Sequence, residues 1–247
     1  MDGLFIIYAV TTAIVFISYF YFLLFKKDKH KATPELNDIS TSFMLNRASK
    51  EWWMWITAPI ENFLVQKKIK PDTLTHLSLF FSLLACMGYS FGNFVWAGWS
   101  VVLAGTCDMF DGRVARKTGT RTKSGEFLDS TMDRWCEIFW YLGLFNFYAN
   151  TLFFYVVFTA LISSFMISYI KARGESLGVH AKMGIMQRSE RIVWLGTSSV
   201  ISPLFASIVH YVAPVSSTFL ASVAISLIAI VNMYTYYERH TYIRKQW

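Results

Sequence analysis

Two neighbouring segments decide how this chain is read. The first is Cys107-Asp108-Met109-Phe110-Asp111-Gly112-Arg113-Val114-Ala115-Arg116. The second, after a short gap, is Gly125-Glu126-Phe127-Leu128-Asp129-Ser130-Thr131-Met132-Asp133. Together they put four carboxylates inside or at the ends of two apolar runs, at about 95–117 and 125–148. An ionised carboxylate in lipid costs at least a few kcal/mol unless something compensates it. These acids must therefore face a protein-lined cavity and share a partner. Helical geometry allows the sharing. At about 100° per residue, Asp108, Asp111, Gly112, Ala115 and Arg116 fall within an arc of roughly 140°, and Gly125, Asp129 and Asp133 within roughly 80°. The short connection makes the two helices antiparallel neighbours whose polar faces meet near their common end.

The rest of the 247-residue chain supports a membrane setting. Its hydrophobic fraction is 54% and its charged fraction 16%, where soluble domains carry about 25% charge. Further apolar runs occupy Leu4 to Phe25 and about 73–91, 151–171, 191–212 and 217–238, each near the length that spans a bilayer. The first run is expected to be a retained anchor rather than a signal peptide. No Lys or Arg precedes it, its apolar part is too long, and no small-x-small cleavage site follows. Lys50 to Gln66 is amphipathic and dense in Trp (Trp52, Trp53, Trp55), which suits a helix lying in the membrane interface. Pro203 should kink the sixth run locally. The expected organisation is an anchor with basic flank at 1–31, a polar linker at 32–49, an interfacial amphipathic helix at 50–69 and a membrane domain at 70–247.

Net charge is +7 and the pI about 9.3. No nucleic-acid motif accompanies this basicity, so no nucleic-acid partner is expected. The basic residues instead report orientation. The loops near 92–94, 149–151 and 212–216 contain none of the 23 Lys and Arg residues. By the positive-inside rule this predicts seven spans, a cytoplasmic C-terminus, and acids gathered near the cytoplasmic face of the cell's inner membrane. The Trp and Tyr residues near run ends suit an aromatic belt. Cys86, Cys107 and Cys136 form no C-x-x-C pair and read as packing residues.

Four clustered carboxylates repel one another, and divalent cations remove that repulsion. All-oxygen ligands favour Mg²⁺, Mn²⁺ or Ca²⁺ over thiophilic metals. Two ions about 3.5–4 Å apart could clamp a diphosphate. A cation channel or transporter would also place acids in a membrane, but it explains neither the glycines nor Arg116.

At these residues the sequence resembles the CDP-alcohol phosphotransferase family. It fits D-x-x-D-G-x-x-A-R-x(8)-G-x-x-x-D-x-x-x-D at every fixed position and spacing. The resemblance covers about 70–247 and implies an all-α integral membrane fold of six helices, to which the N-terminal span and interfacial helix are additions. It implies that Asp108, Asp111, Asp129 and Asp133 bind Mg²⁺ or Mn²⁺, with Asp133 also the general base. Gly112 and Gly125 would let CDP-diacylglycerol approach closely, and Arg116 would pair with its diphosphate. A homodimer is likewise implied.

A second stretch, Ser168-Tyr169-Ile170-Lys171-Ala172-Arg173-Gly174-Glu175 with Gln187-Arg188-Ser189-Glu190-Arg191, looks like the phosphatidylinositol-phosphate synthase branch of the family. That likeness makes Lys171, Arg191 and Arg239, together with Arg188, ligands of a phosphorylated acceptor, inositol 1-phosphate first. Gln187 stands where that branch usually carries Glu, and Gly174 where it usually carries Ala, so glycerol 3-phosphate is the rival acceptor. A catalytically inactive lipid-binding scaffold is the alternative of another class, and the four intact aspartates argue against it.

Overall fold

The structure is a computed structural model describing residues 3–26, 47–181, 183–210 and 212–247. Every regular element among these residues is a helix. They are α1 (Gly3–Phe25), α2 (Arg47–Gln66), α3 (Pro71–Ser90), α4 (Phe94–Thr118), α5 (Lys123–Tyr148), α6 (Phe153–Ser176), α7 (Arg188–Val209) and α8 (Phe219–Arg244). Most of the expected polar linker, and the basic cluster beyond Lys26, lie outside the described residues. α2 begins at Arg47, inside the stretch read as linker.

The chain divides into two units, Met1–Lys68 and Ile69–Trp247. In the first, α1 and α2 meet through aromatic rings. Tyr19 packs edge-on against Trp52 at 5.2 Å, and Phe22 against Trp55 at 5.6 Å. Trp52 Nε1 donates to Ser18 Oγ at 3.2 Å. α2 leaves Ile56, Ile60 and Phe63 exposed, one face at helical spacing.

In the second unit the helices close a ring in the order α3–α4–α7–α8–α6–α5, with α5 returning to α3. The capping residues explain where helices start and stop. Pro71 opens α3 with Asp72 in its first turn, as the missing N–H and the helix dipole favour. α4 ends on Gly119 at φ 67°, with Thr120 N–H on Ala115 O and Gly119 N–H on Arg116 O, a Schellman closure. Thr122 then caps α5 by accepting from Gly125 N at 3.0 Å. The α4–α5 connection is short for these reasons.

One expectation changes. α4 and α5 touch each other only slightly; α3 packs along both. The face α3 presents is mostly small, with Thr75, Ser78, Ser82, Ala85 and Gly88 buried along it. Small residues let helix backbones approach in a membrane. A Cβ on Gly143 of α5 would lie 2.4 Å from Cys86 O of α3. The α4–α7 contact uses the same device, since a Cβ on Gly98 would lie 2.6 Å from Gly196 O.

Among the described residues, five helices (α1, α3, α6, α7 and α8) are long and apolar enough to cross a membrane. α4 and α5 have the length, at 25 and 26 residues, but carry the acids and their neighbouring cations.

Candidate active site

The C-terminal half of α4 and the N-terminal half of α5 converge beside their connecting loop. Asp108 and Asp111 stand one turn apart on α4, and Asp129 comes from α5. One carboxylate oxygen from each lies within 4.8 Å of the others. Thr75 of α3 donates its hydroxyl to Asp111 Oδ2 at 2.6 Å, fixing a carboxylate that is only 5% exposed. Sequence reasoning missed Thr75. It follows Pro71 by one turn, but nothing local says that this face of α3 meets α4.

Asp133, one turn beyond Asp129, is tied to the cluster through an arginine. Arg188, the first residue of α7, donates Nη1 to Asp108 Oδ2 at 2.6 Å and places Nη2 2.7 Å from Asp133 Oδ1. The sequence assigned Arg188 to an acceptor phosphate; in the structure its guanidinium bridges two of the four signature aspartates. A guanidinium held between two carboxylates offsets part of the repulsion that their gathering creates.

Beyond Asp133 the polar network continues into the bundle. Arg134 Nη2 lies 3.6 Å from Asp133 Oδ2 and its Nη1 3.7 Å from Glu137 Oε2. Arg134 also bonds Ser168 Oγ on α6. Glu137 Oε1 accepts from Arg191 of α7 at 3.1 Å from Nε and 2.6 Å from Nη2. Arg191, read from the sequence as an acceptor ligand, is thus buried against a carboxylate that the sequence did not single out. Arg239 on α8 donates Nε to Met183 O at 2.8 Å and Nη1 to Ile167 O at 3.3 Å. Lys171 is half exposed and 3.9 Å from Glu175, one turn along α6.

Gly112 and Gly125 lie on the faces of α4 and α5 that carry the acids. A Cβ on Gly112 would meet only the end of the Arg116 side chain, at 3.2 Å, and one on Gly125 the Thr122 hydroxyl at 3.2 Å. Neither glycine is pressed by backbone from another helix, unlike Gly143 or Gly98.

The donor set fits a hard divalent cation. Three carboxylate oxygens converge, from two helices, and the acid nearest them already draws a guanidinium. Asp108, Asp111 and Asp129 are the residues that can hold such an ion, and Asp133 is tied to them through Arg188, which meets both Asp108 and Asp133.

The family model described as CDP-alcohol phosphatidyltransferase matches residues 68–237. A phosphatidylinositol phosphate synthase of Streptomyces avermitilis is 30% identical over 221 residues, covering 87% of each chain. An archaetidylinositol phosphate synthase of Methanothermobacter thermautotrophicus is 30% identical over 176 residues, covering 70% of this chain and 82% of its own. Among solved structures, the phosphatidylinositol phosphate synthase of Mycobacterium tuberculosis with CDP-DAG bound superposes with a TM-score of 0.64 at 26% identity. It covers 76% of this chain and 93% of its own. The same enzyme in complex with manganese and citrate matches with a TM-score of 0.64 at 26% identity over 76% of this chain and 88% of its own. The matched region contains the aspartates of α4 and α5 and the arginines of α7, and on this evidence the chain is a member of the CDP-alcohol phosphatidyltransferase family, an integral membrane enzyme that transfers a phosphatidyl-type group from a CDP-alcohol.

Proposed function

We propose that the chain transfers the phosphatidyl group of CDP-diacylglycerol to inositol 1-phosphate and releases CMP. One observation carries the reading: the three-aspartate cluster on α4 and α5 adjoins arginines entering from α7 at the same end of the bundle. Acids to gather cations, and cations to receive a phosphate, are what a diphosphate donor and a phosphorylated acceptor need together. The names of the relatives support the acceptor. Free alcohols such as serine would not call for several arginines.

In this reading Asp108, Asp111 and Asp129, with Asp133, hold two Mg²⁺ or Mn²⁺ ions. Such ions would neutralise the diphosphate and stabilise the charge that builds on the departing CMP oxygen. Arg116 pairs with the donor diphosphate, as a planar fork of N–H donors does well. Gly112 and Gly125 leave room for the nucleotide against the helix backbones. Asp133 takes the proton from the acceptor hydroxyl. That oxygen forms its bond to the lipid-side phosphorus as the bond from phosphorus to the CMP oxygen breaks. Lys171, Arg191 and Arg239 receive the acceptor phosphate, and Arg188, read from the sequence as a fourth such residue, is engaged by Asp108 and Asp133. Most of the catalytic gain comes from positioning and charge neutralisation, as in phosphoryl transfer generally.

The loops at 91–93, 149–152 and 210–218 carry no Lys or Arg, while Arg116, Lys117, Arg121, Lys123 and Lys171 flank the site. This places the site and the C-terminus on the cytoplasmic side of the inner membrane in our reading. A homodimer belongs to the same proposal.

The test is CMP release by the purified protein from CDP-diacylglycerol with Mg²⁺ or Mn²⁺. Inositol 1-phosphate, glycerol 3-phosphate and free inositol are offered separately. Turnover with inositol 1-phosphate is expected, and Asp133→Asn should abolish it while leaving CDP-diacylglycerol bound. Turnover with glycerol 3-phosphate alone would replace the acceptor. No CMP with any of the three would favour a lipid-binding scaffold.

A further inference from the structure

Glu137 follows Asp133 by one helical turn, so Asp129, Asp133 and Glu137 form one i, i+4, i+8 row along α5. The first two face the cluster; the third does not reach it. Glu137 is 1% exposed and Arg191, its partner on α7, is 3% exposed. Both contacts from Arg191 fall on a single oxygen, Oε1, and both come from one edge of the guanidinium, Nε and Nη2. The second oxygen, Oε2, is buried with no hydrogen-bond partner. Arg134, 3.7 Å from it, supplies charge without a bond.

This is a lopsided way to satisfy a buried pair. A carboxylate and a guanidinium facing each other squarely form two parallel bonds, one to each oxygen. Here the carboxylate grips one edge, and an arginine has five N–H donors in a fixed plane. Holding the plane by one edge sets the direction of the other. Arg239 on α8 has its Nε and Nη1 engaged by carbonyl oxygens. The bonds to Glu137 use only the Nε–Nη2 edge of Arg191.

Resting on the proposal that the acceptor is phosphorylated, we propose that Glu137 is a positioning residue. It holds Arg191 by the Nε–Nη2 edge and so turns the Nη1 edge to the acceptor phosphate. Through Arg134 the same carboxylate is linked to Asp133, the base that acts on the same acceptor. Glu137 touches no substrate; its effect passes through Arg191.

The experiment measures donor and acceptor KM, kcat and melting temperature for the full-length, detergent-purified protein. The variants are Glu137→Gln, Arg191→Gln and the double substitution, with inositol 1-phosphate as acceptor. Glu137→Gln is expected to raise acceptor KM at least tenfold while donor KM stays within twofold. In the Arg191→Gln background, Glu137→Gln should raise acceptor KM no further, because the two act as one unit. Equal changes in donor and acceptor KM, or independent effects in the double variant, would overturn the role. Where Glu137→Gln does not fold, Glu137→Asp keeps the charge and withdraws the carboxylate by one methylene. It should raise acceptor KM several-fold, and an unchanged acceptor KM would overturn the role equally. Wild-type turnover with free inositol alone would sink the acceptor reading and this role with it. Turnover with a phosphorylated acceptor whose KM ignores Glu137 would sink this role only.

Discussion

At the end of the six-helix unit where α4 runs into α5, helices are held by charge. Arg188 bridges Asp108 and Asp133, and Arg191 grips Glu137. At the other end, where α3 turns into α4 and α5 into α6, they are held by rings. Tyr89 packs on Phe94 at 5.3 Å, Phe94 on Phe147 at 5.0 Å, and Tyr148 on Phe153 at 4.7 Å. Two hydroxyl contacts finish that end, Tyr89 to Ser199 at 2.9 Å and Tyr148 to Ser222 at 2.8 Å. The charged end gathers acids that repel, splays α4 from α5 around α3, and leaves two glycines unpressed by backbone from another helix. Stability and chemistry are thus assigned to opposite ends of the same helices, and substitutions at the two ends should fail in different ways.

The sharpest separation should come from Asp129→Asn. It removes a convergent ligand oxygen and is expected to lower kcat/KM by at least about 10³-fold, roughly 4 kcal/mol of transition-state stabilisation. Its melting temperature should stay level or rise, because one repelling charge is gone. A large fall in melting temperature would mean that the acids also hold the fold. The converse is Phe94→Ala, which empties the middle of the ring cluster. It should cost about 3 kcal/mol of stability while kcat per folded molecule is unchanged. Activity lost in step with Asp129→Asn would erase the division between the ends. Thr75→Val keeps the shape and removes the hydroxyl on Asp111. It should weaken divalent-cation binding about 10- to 100-fold, as loss of a bond to a ligating carboxylate does, with little change in melting. Tyr148→Phe is the mildest, about 0.6 kcal/mol for one interhelical hydrogen bond in a membrane protein, read as a small downward shift in melting with full activity.

The two ends were also unequally legible in the sequence. Acids inside apolar runs are conspicuous, because lipid tolerates them only for a reason, and helical spacing put Asp108, Asp111, Asp129 and Asp133 on facing arcs. Helix limits fall at residues with a fixed conformational habit, Pro71, Gly119 and Thr122. The insertion of α3 between α4 and α5 was not legible. A short loop implies adjacency, and only the small side chains of Ser78, Ser82 and Ala85 hinted that a third helix could come between. Thr75 was invisible for the same reason, since its partner lies 36 residues away. The basic residues were found but not their partners. Positive charge near helix ends is expected of any membrane protein, so the sequence could not tell that Arg188 meets Asp108 or that Arg191 meets Glu137. Glu137 itself lay one turn past the motif, and the i, i+4, i+8 row was the available sign.

In the proposed function, acids on α4 and α5 jointly hold divalent cations for a CDP-activated lipid. Electron paramagnetic resonance of Mn²⁺ titrated into the purified protein tests it most directly, with wild type beside the double variant Asp108→Asn/Asp129→Asn. The wild type is expected to quench the free-ion signal with saturable stoichiometry, more tightly when CDP is present, and the double variant to leave that signal intact. Undiminished Mn²⁺ binding by the double variant, with the same enhancement by CDP, would contradict the claim.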